Sequence, residues 1–207
     1  TPPPPPPPHP PPPPPPPIPP TQSITQLGQS VTGGCDLNND AIDDFMISNQ
    51  APSTFSMSSA AIFVIFGRPA ASWPISGSST IDPLISNSGG FKFVHVGAAT
   101  KAWTTTFAYH GLQCTGDING DSLNDILLSD SNVGSGVGRV ALVYGNSSWP
   151  SVIDVSKSTS FHGITFSPPS SSQHYLGESI THLDLNLDGH VDLVIGAPGA
   201  ENWRGYV

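Results

Sequence analysis

The run Leu183-Asp184-Leu185-Asn186-Leu187-Asp188-Gly189-His190-Val191-Asp192-Leu193-Val194-Ile195-Gly196 alternates oxygen-bearing side chains with neutral ones and then enters an apolar stretch. The same frame occurs twice upstream. It reads Cys35-Asp36-Leu37-Asn38-Asn39-Asp40-Ala41-Ile42-Asp43-Asp44-Phe45-Met46-Ile47-Ser48, and then Gly116-Asp117-Ile118-Asn119-Gly120-Asp121-Ser122-Leu123-Asn124-Asp125-Ile126-Leu127-Leu128-Ser129. The first aspartates, Asp36, Asp117 and Asp184, are separated by intervals of 81 and 67 residues. A fixed motif at such a period is the mark of a repeat architecture in which each unit is one supersecondary element.

Each nine-residue loop offers side-chain oxygens at positions 1, 3, 5 and 9 and a backbone carbonyl at position 7. The ligand sets expected are Asp36, Asn38, Asp40, the Ile42 carbonyl and Asp44; Asp117, Asn119, Asp121, the Leu123 carbonyl and Asp125; and Asp184, Asn186, Asp188, the His190 carbonyl and Asp192. Only hard oxygen donors are supplied, on a flexible loop. That favours Ca²⁺ over Zn²⁺, and over Mg²⁺ with its strict octahedron and retained waters. Up to three structural calcium ions are expected. An EF-hand is excluded because its bidentate Glu at position 12 is replaced by Ile47, Leu128 and Ile195.

Around each loop the strand signals recur in one order. A Gly-containing strand leads in (Gly28 to Cys35, Tyr109 to Gly116, Gly177 to Leu183), and an apolar strand leaves (Phe45 to Ile47, Ile126 to Leu128, Leu193 to Ile195). A third strand follows at Ala60 to Gly67 and Gly138 to Gly145, with Gly205 to Val207 starting the third copy. The fourth is Phe91 to Val96 in one unit and Phe161 to Phe166 in the next. No window carries a helical period. The expected fold class is all-β: four-stranded β-propeller blades, two complete and one partial, behind a polyproline II rod. The rod covers 1–20, the propeller segment 21–207, and the approximate repeats 25–105, 106–174 and 175–207.

These units resemble FG-GAP repeats, the blades of the integrin alpha-subunit propeller and of many bacterial and algal surface proteins. The third copy is nearest, with Leu176-Gly177-Glu178-Ser179-Ile180 before its loop, Val194-Ile195-Gly196-Ala197-Pro198-Gly199-Ala200 after it, and then Arg204-Gly205-Tyr206-Val207. The first keeps Leu27-Gly28-Gln29-Ser30-Val31 and Ile47-Ser48-Asn49-Gln50-Ala51-Pro52, while the second has Leu128-Ser129-Asp130-Ser131-Asn132. The resemblance covers about Thr25 to Val207. It implies calcium loops that stiffen the blades and implies no catalysis. Ala41 and Ser122 stand where the family has Gly, a departure that implies either a strained left-handed turn or weaker binding by these loops.

Composition agrees with many short strands: of 207 residues, 36% are hydrophobic and only 10% charged. The net charge is −9, from 6 Lys plus Arg and 15 Asp plus Glu, which excludes a nucleic-acid footprint. The three aspartates expected as ligands in each loop account for nine of those acids, and three bound divalent ions would bring −9 to −3. No apolar run approaches the ~20 residues that span a bilayer, so direct membrane insertion is not expected. The chain opens at Thr1 with no initiator Met or signal peptide, as a processed product would.

The first twenty residues are proline except Thr1, His9 and Ile18, and polyproline II, a rod of roughly 60 Å, is their main option. This tract and Ser167-Pro168-Pro169-Ser170-Ser171-Ser172 resemble hydroxyproline-rich glycoproteins of algal and plant walls. The resemblance implies short O-glycans on hydroxylated Pro2, Pro3, Pro4, Pro5, Pro6, Pro7, Pro8, Pro10, Pro11, Pro12, Pro13, Pro14, Pro15, Pro16, Pro17, Pro19 and Pro20. Asn146-Ser147-Ser148 is an N-glycosylation sequon placed just after a strand. Cys35 and Cys114 each precede a calcium loop, and a disulfide between them and two buried thiols are equally compatible with the sequence.

Catalytic signatures are missing: there is no Gly-x-Ser-x-Gly elbow, His-Glu-x-x-His, P-loop or dinucleotide fingerprint. His9, His95, His110, His162, His174, His182 and His190 show no metal-type spacing. Trp73, Trp103, Trp149 and Trp203 suit packing better than a sugar-stacking surface. The expected function is a non-catalytic, calcium-stabilised extracellular structural glycoprotein, a subunit of a surface fibril, appendage or wall layer. Its partners would be copies of itself or neighbouring subunits. A cell-adhesion or ligand-binding propeller is the first alternative. The second is the accessory propeller of an enzyme whose catalytic domain lies elsewhere, resembling glycosylphosphatidylinositol-specific phospholipase.

Overall fold

The computed structural model describes residues 27–49, 61–69, 89–94, 111–169, 172–205 and 207. The expected rod over 1–20, and with it His9, His95, His110, Trp73 and Trp103, lies outside these residues. Within them the regular structure is mainly antiparallel β-sheet. The first sheet contains β1 (Leu27–Cys35), β2 (Asp44–Asn49), β3 (Ala61–Ile65) and β4 (Gly90–Val94), joined in that order. The second has β5 (Leu112–Gly116), β6 (Asp125–Asp130), β7 (Arg139–Val143) and β9 (Gly163–Phe166). A two-stranded sheet pairs β10 (Ile180–Leu183) with β11 (Asp192–Ile195).

Each loop thus joins the first and second strands of its sheet. In the first two units the ladder slips by a residue just before the loop, between Gly33 and Cys35 and between Cys114 and Gly116. Such a bulge bends and twists the leading strand where the loop departs.

Two departures from the expected strands stand out. A short strand, β8 (Val152–Asp154), lies between β7 and β9 in sequence but pairs in parallel with β4, making the first sheet five-stranded. Three residues carry no period of their own, and β8 exists only because β4 offers an edge. Gly205 and Val207 are not in a strand, and Ala200–Trp203 before them forms one helical turn.

The sheets pack face on face. Met46, Ile62, Val64, Phe91 and Phe93 of the first meet Leu112, Ile126, Leu128, Ala141 and Val143 of the second in one cluster. The opposite face of the second sheet, Leu127, Val140 and Leu142, packs with Ile180, Leu193 and Ile195 of the third. The second sheet is therefore covered on both sides, which is why all six residues of β6 are buried and why its apolar run is continuous rather than alternating. All four residues of β11 are only half-buried.

Two cross-links fasten the first sheet to the second. Cys35 and Cys114 form a disulfide between β1 and β5, with Cα atoms 6.0 Å apart. Trp149 stacks on Phe91 with ring centroids 4.4 Å apart and donates its indole N–H to the Leu37 carbonyl at 2.6 Å. This tryptophan packs between units, as expected, whereas Trp203 is mostly exposed beside Tyr175.

Candidate metal loops

The three loops share one hydrogen-bond scheme, dictated by their alternating Asx residues. Each opening aspartate turns its two carboxylate oxygens back over the loop to accept from the amides of positions 5 and 6. The distances are 3.0 and 2.6 Å for Asp36, 3.0 and 2.7 Å for Asp117, and 3.1 and 2.8 Å for Asp184. Asn38, Asn119 and Asn186 accept from the position-5 amide and donate their own amide to the position-5 carboxylate. Asp40, Asp121 and Asp188 accept from the amides of Ile42, Leu123 and His190, each at 2.9 Å. These are Asx turns laid end to end.

Such tight winding needs a left-handed backbone at positions 4 and 6. Asn39, Gly120 and Leu187 have φ of 61°, 80° and 61°; Ala41, Ser122 and Gly189 have 66°, 69° and 88°. Ala41 and Ser122 therefore adopt the conformation that favours glycine, and Leu187, 86% exposed, does the same.

The ninth residue differs from the others. Asp44 is 2% exposed and Asp125 is fully buried. Asp44 accepts from Leu37 N–H at 2.7 Å and from Gly67 N–H at 2.7 Å; Asp125 accepts from Ile118 at 2.8 Å and from Gly145 at 2.7 Å. Each carboxylate ties the start of its loop to the end of the third strand. Glycine is required there, because a Cβ on Gly67 would lie 2.3 Å from the Asp43 carbonyl and one on Gly145 would lie 2.4 Å from the Leu123 Cβ. Asp192 keeps the first half of the scheme, accepting from Leu185 at 3.0 Å.

Burial pushes the Asp44 carboxyl up to about 6, reinforced by the negative charges of Asp36 and Asp40 and opposed by the Gly67 and Leu37 amides. Asp125 is raised for the same reason, with Asp121 adding to it. On the open surface, the His190 amide and the Asn186 side chain hold Asp188 below the usual carboxylate range.

Among the described residues no three His, Cys, Asp or Glu side chains converge as a ready metal cluster. The donor chemistry nonetheless fits a hard cation. An ionised carboxylate has about four lone-pair sites, and the amide bonds described leave several on each aspartate. A divalent ion beside Asp36, Asp40 and Asp44 would offset the burial that chiefly raises Asp44 and the smaller repulsion from Asp36 and Asp40. The expected carbonyls, of Ile42, Leu123 and His190, sit at the turn that each position-5 carboxylate fixes.

Other expected sites are scattered. The Asn146 side chain is exposed and accepts from the Ser148 amide at 3.0 Å, so the sequon closes into an Asx turn. The proline positions proposed to carry glycans lie outside the described residues. The described histidines form no cluster: His182 shares a hydrogen bond with Gln113 at 3.0 Å, and His162 packs its ring on Tyr144. What sequence reasoning missed is the grip on the first loop from the second unit. The Asn124 side chain donates to the Asp36 carbonyl at 2.8 Å, next to the Trp149 bond to Leu37 and the disulfide at Cys35. Nothing local signals a contact between residues 88 positions apart.

Parts of the chain are similar to known proteins. A 111-residue stretch is 31% identical to phosphatidylinositol-glycan-specific phospholipase D from Bos taurus, covering 50% of this chain and 13% of that protein. Residues 176–207, which contain β10, its loop and β11, match the family model of the FG-GAP repeat.

Proposed function

We propose that the chain is a non-catalytic, calcium-stabilised structural module of an extracellular assembly, with one Ca²⁺ held by each of the three loops. The observation that carries the reading is the threefold recurrence of one Asx scheme, down to the same donor–acceptor pairs. A bound calcium ion supplies positive charge to which the loop oxygens turn their remaining lone pairs. The protein's own residues do the rest: Asp44 and Asp125 couple loop geometry to strand geometry, so filling a loop stiffens the sheet behind it. The Cys35–Cys114 disulfide suits an oxidising compartment. In that setting Asn146 carries an N-glycan and the proline rod O-glycans, and copies associate into a fibril or wall layer.

A second reading has one specific support. The partial likeness to a phospholipase D suits an accessory propeller attached to a catalytic domain. An integrin-like adhesion propeller shares the same fold expectation.

The test is calorimetric titration of the chelator-treated chain with Ca²⁺, followed by electron microscopy of native material in calcium and in chelator. Saturable binding with ordered fibres that loosen on chelation supports the structural module. No heat and no change in melting temperature sinks the calcium assignment, and dispersed monomers in saturating calcium favour the accessory or adhesion readings.

A further inference from the structure

Position 4 of the three loops is filled by Asn39, Gly120 and Leu187, each of which follows an expected ligand, Asn38, Asn119 or Asn186. Only the second loop therefore contains Asn-Gly, and Asn119-Gly120 is the one such pair in the 207 residues. Both residues are exposed, and even a Cβ on Gly120 would meet nothing within 4 Å. The backbone nitrogen of Gly120 thus has no side chain beside it, whereas the nitrogens of Asn39 and Leu187 do.

The hydrogen bonds set the second loop apart in the same place. Gly120 donates its amide to Asp117 Oδ1 at 2.7 Å, whereas among the described residues neither Asn39 nor Leu187 donates its amide to the opening aspartate of its loop. A charged acceptor draws the hydrogen away from the nitrogen and raises the electron density on it. As in the other loops, the position-5 amide, here of Asp121, donates to Asn119 Oδ1, at 3.0 Å. A donor on that oxygen stabilises the negative charge that builds there when the side-chain carbon is attacked.

We propose that Asn119 is a site of spontaneous covalent modification, deamidation through a cyclic imide formed with Gly120. The Gly120 nitrogen bonds to Asn119 Cγ and gives its proton to solvent. The Cγ–Nδ2 bond breaks, and the nitrogen takes a proton from solvent and leaves as ammonia. Water then opens the ring: breaking the new bond yields aspartate, and breaking the original peptide bond yields isoaspartate, whose backbone runs through Cβ and Cγ. Water is the only co-reactant, and nothing is oxidised or reduced. Asp188-Gly189 of the third loop has the glycine but offers a carboxylate, a poorer electrophile than an amide and one with no ammonia to lose.

Aspartate would add a charge to a loop that already supplies three expected carboxylate ligands. Isoaspartate would lengthen the backbone by one atom between positions 3 and 4, and either product removes the side-chain amide that Asn119 donates to Asp121. The second loop would lose its Asx scheme while the first and third keep theirs. The modification does not require bound calcium; its consequence for metal binding deepens the calcium reading and rests on it.

Peptide mapping by mass spectrometry of the full chain, aged at neutral pH in chelator, tests the proposal. The peptide carrying Asn119 is expected to gain about 1 Da, NH₂ giving way to OH, and to split into two products that elute apart. Asn38 and Asn186 are expected to keep their mass over the same interval. Gly120→Asn, which copies position 4 of the first loop, is expected to slow the gain at Asn119 roughly tenfold. No gain in the wild type, an equal rate at Asn38 or Asn186, or a Gly120→Asn variant that ages as fast as the wild type would overturn it. Ageing in saturating calcium separates the two readings, because an Asn119 oxygen that ligates is not free to turn toward Gly120. Equal rates in calcium and chelator defeat Asn119 as a ligand and leave the modification standing, while calcium binding by a chain that never gains mass in chelator defeats the modification alone.

Discussion

Asn124, the eighth residue of the second loop, donates its side-chain amide to the backbone carbonyl of Asp36, the first residue of the first loop, at 2.8 Å. The neighbouring residues of that second loop, Leu123 and Asp125, are expected metal ligands, so an ion there fixes the donor that holds the first loop. Asn124→Ala should cost about 1 kcal/mol for a partly buried hydrogen bond. It should also weaken calcium binding to the first loop without touching any ligand. Calorimetric titration of the variant, read as one site moving to lower affinity, checks this.

Ala41, Ser122 and Leu187 occupy left-handed positions and are exposed. Replacing each by glycine relieves roughly 1 kcal/mol of backbone strain, partly offset by the greater freedom of the unfolded chain. Gly189→Ala, where a Cβ meets nothing within 4 Å, should lose a similar amount through φ alone. Thermal melts in chelator should move up for the first three and down for the fourth.

Asp130 lies at the end of β6, with its Oδ1 accepting from Asn132 and its buried Oδ2 without a partner among the described residues. Burial pushes its carboxyl up to about 7, against the Asn132 and Val133 amides and the charge of Arg139. The folded state then holds a proton that the unfolded state releases near pH 4, so stability falls as pH rises from about 4 to about 7. Asn49 fills the same position in the first unit and accepts from Ala61 at 2.6 Å. Asp130→Asn should remove this pH dependence and raise stability by roughly 2 kcal/mol at pH 8. Urea titrations at pH 5 and pH 8 check it; an equal effect at both pH values would contradict the assignment.

The position-nine aspartates hold strands together whether or not an ion is bound. Asp125→Ala leaves the Ile118 and Gly145 amides without an acceptor and should cost on the order of 3 kcal/mol in chelator. A loss that appears only in calcium would mean the carboxylate serves the ion alone.

The loops were legible because Asp and Asn at alternate positions leave little choice but Asx turns, and the left-handed sixth position was legible from Gly189. The second task of Asp44 was not, because Gly67 is 23 residues away and a glycine ending a strand has many uses. The disulfide was undecided in sequence because two cysteines at comparable strand ends suit a bridge and two buried thiols equally. It is settled by the stacking of β1 and β5. The short β8 escaped for a related reason: its pairing belongs to the neighbouring unit, and period-two reasoning sees only the strand itself.

Residues 35, 36 and 37 are each fastened to the second unit, the first covalently and the next two through Asn124 and Trp149. A tensile force drawing the two sheets apart is therefore carried by a covalent bond, and the two hydrogen bonds beside it are not loaded one at a time. The cysteines are 79 residues apart, so the segment they enclose cannot be pulled out while the bond lasts. In an oxidising medium the two units form one mechanical element, and reduction leaves the load to the β4–β8 pairing and the shared core.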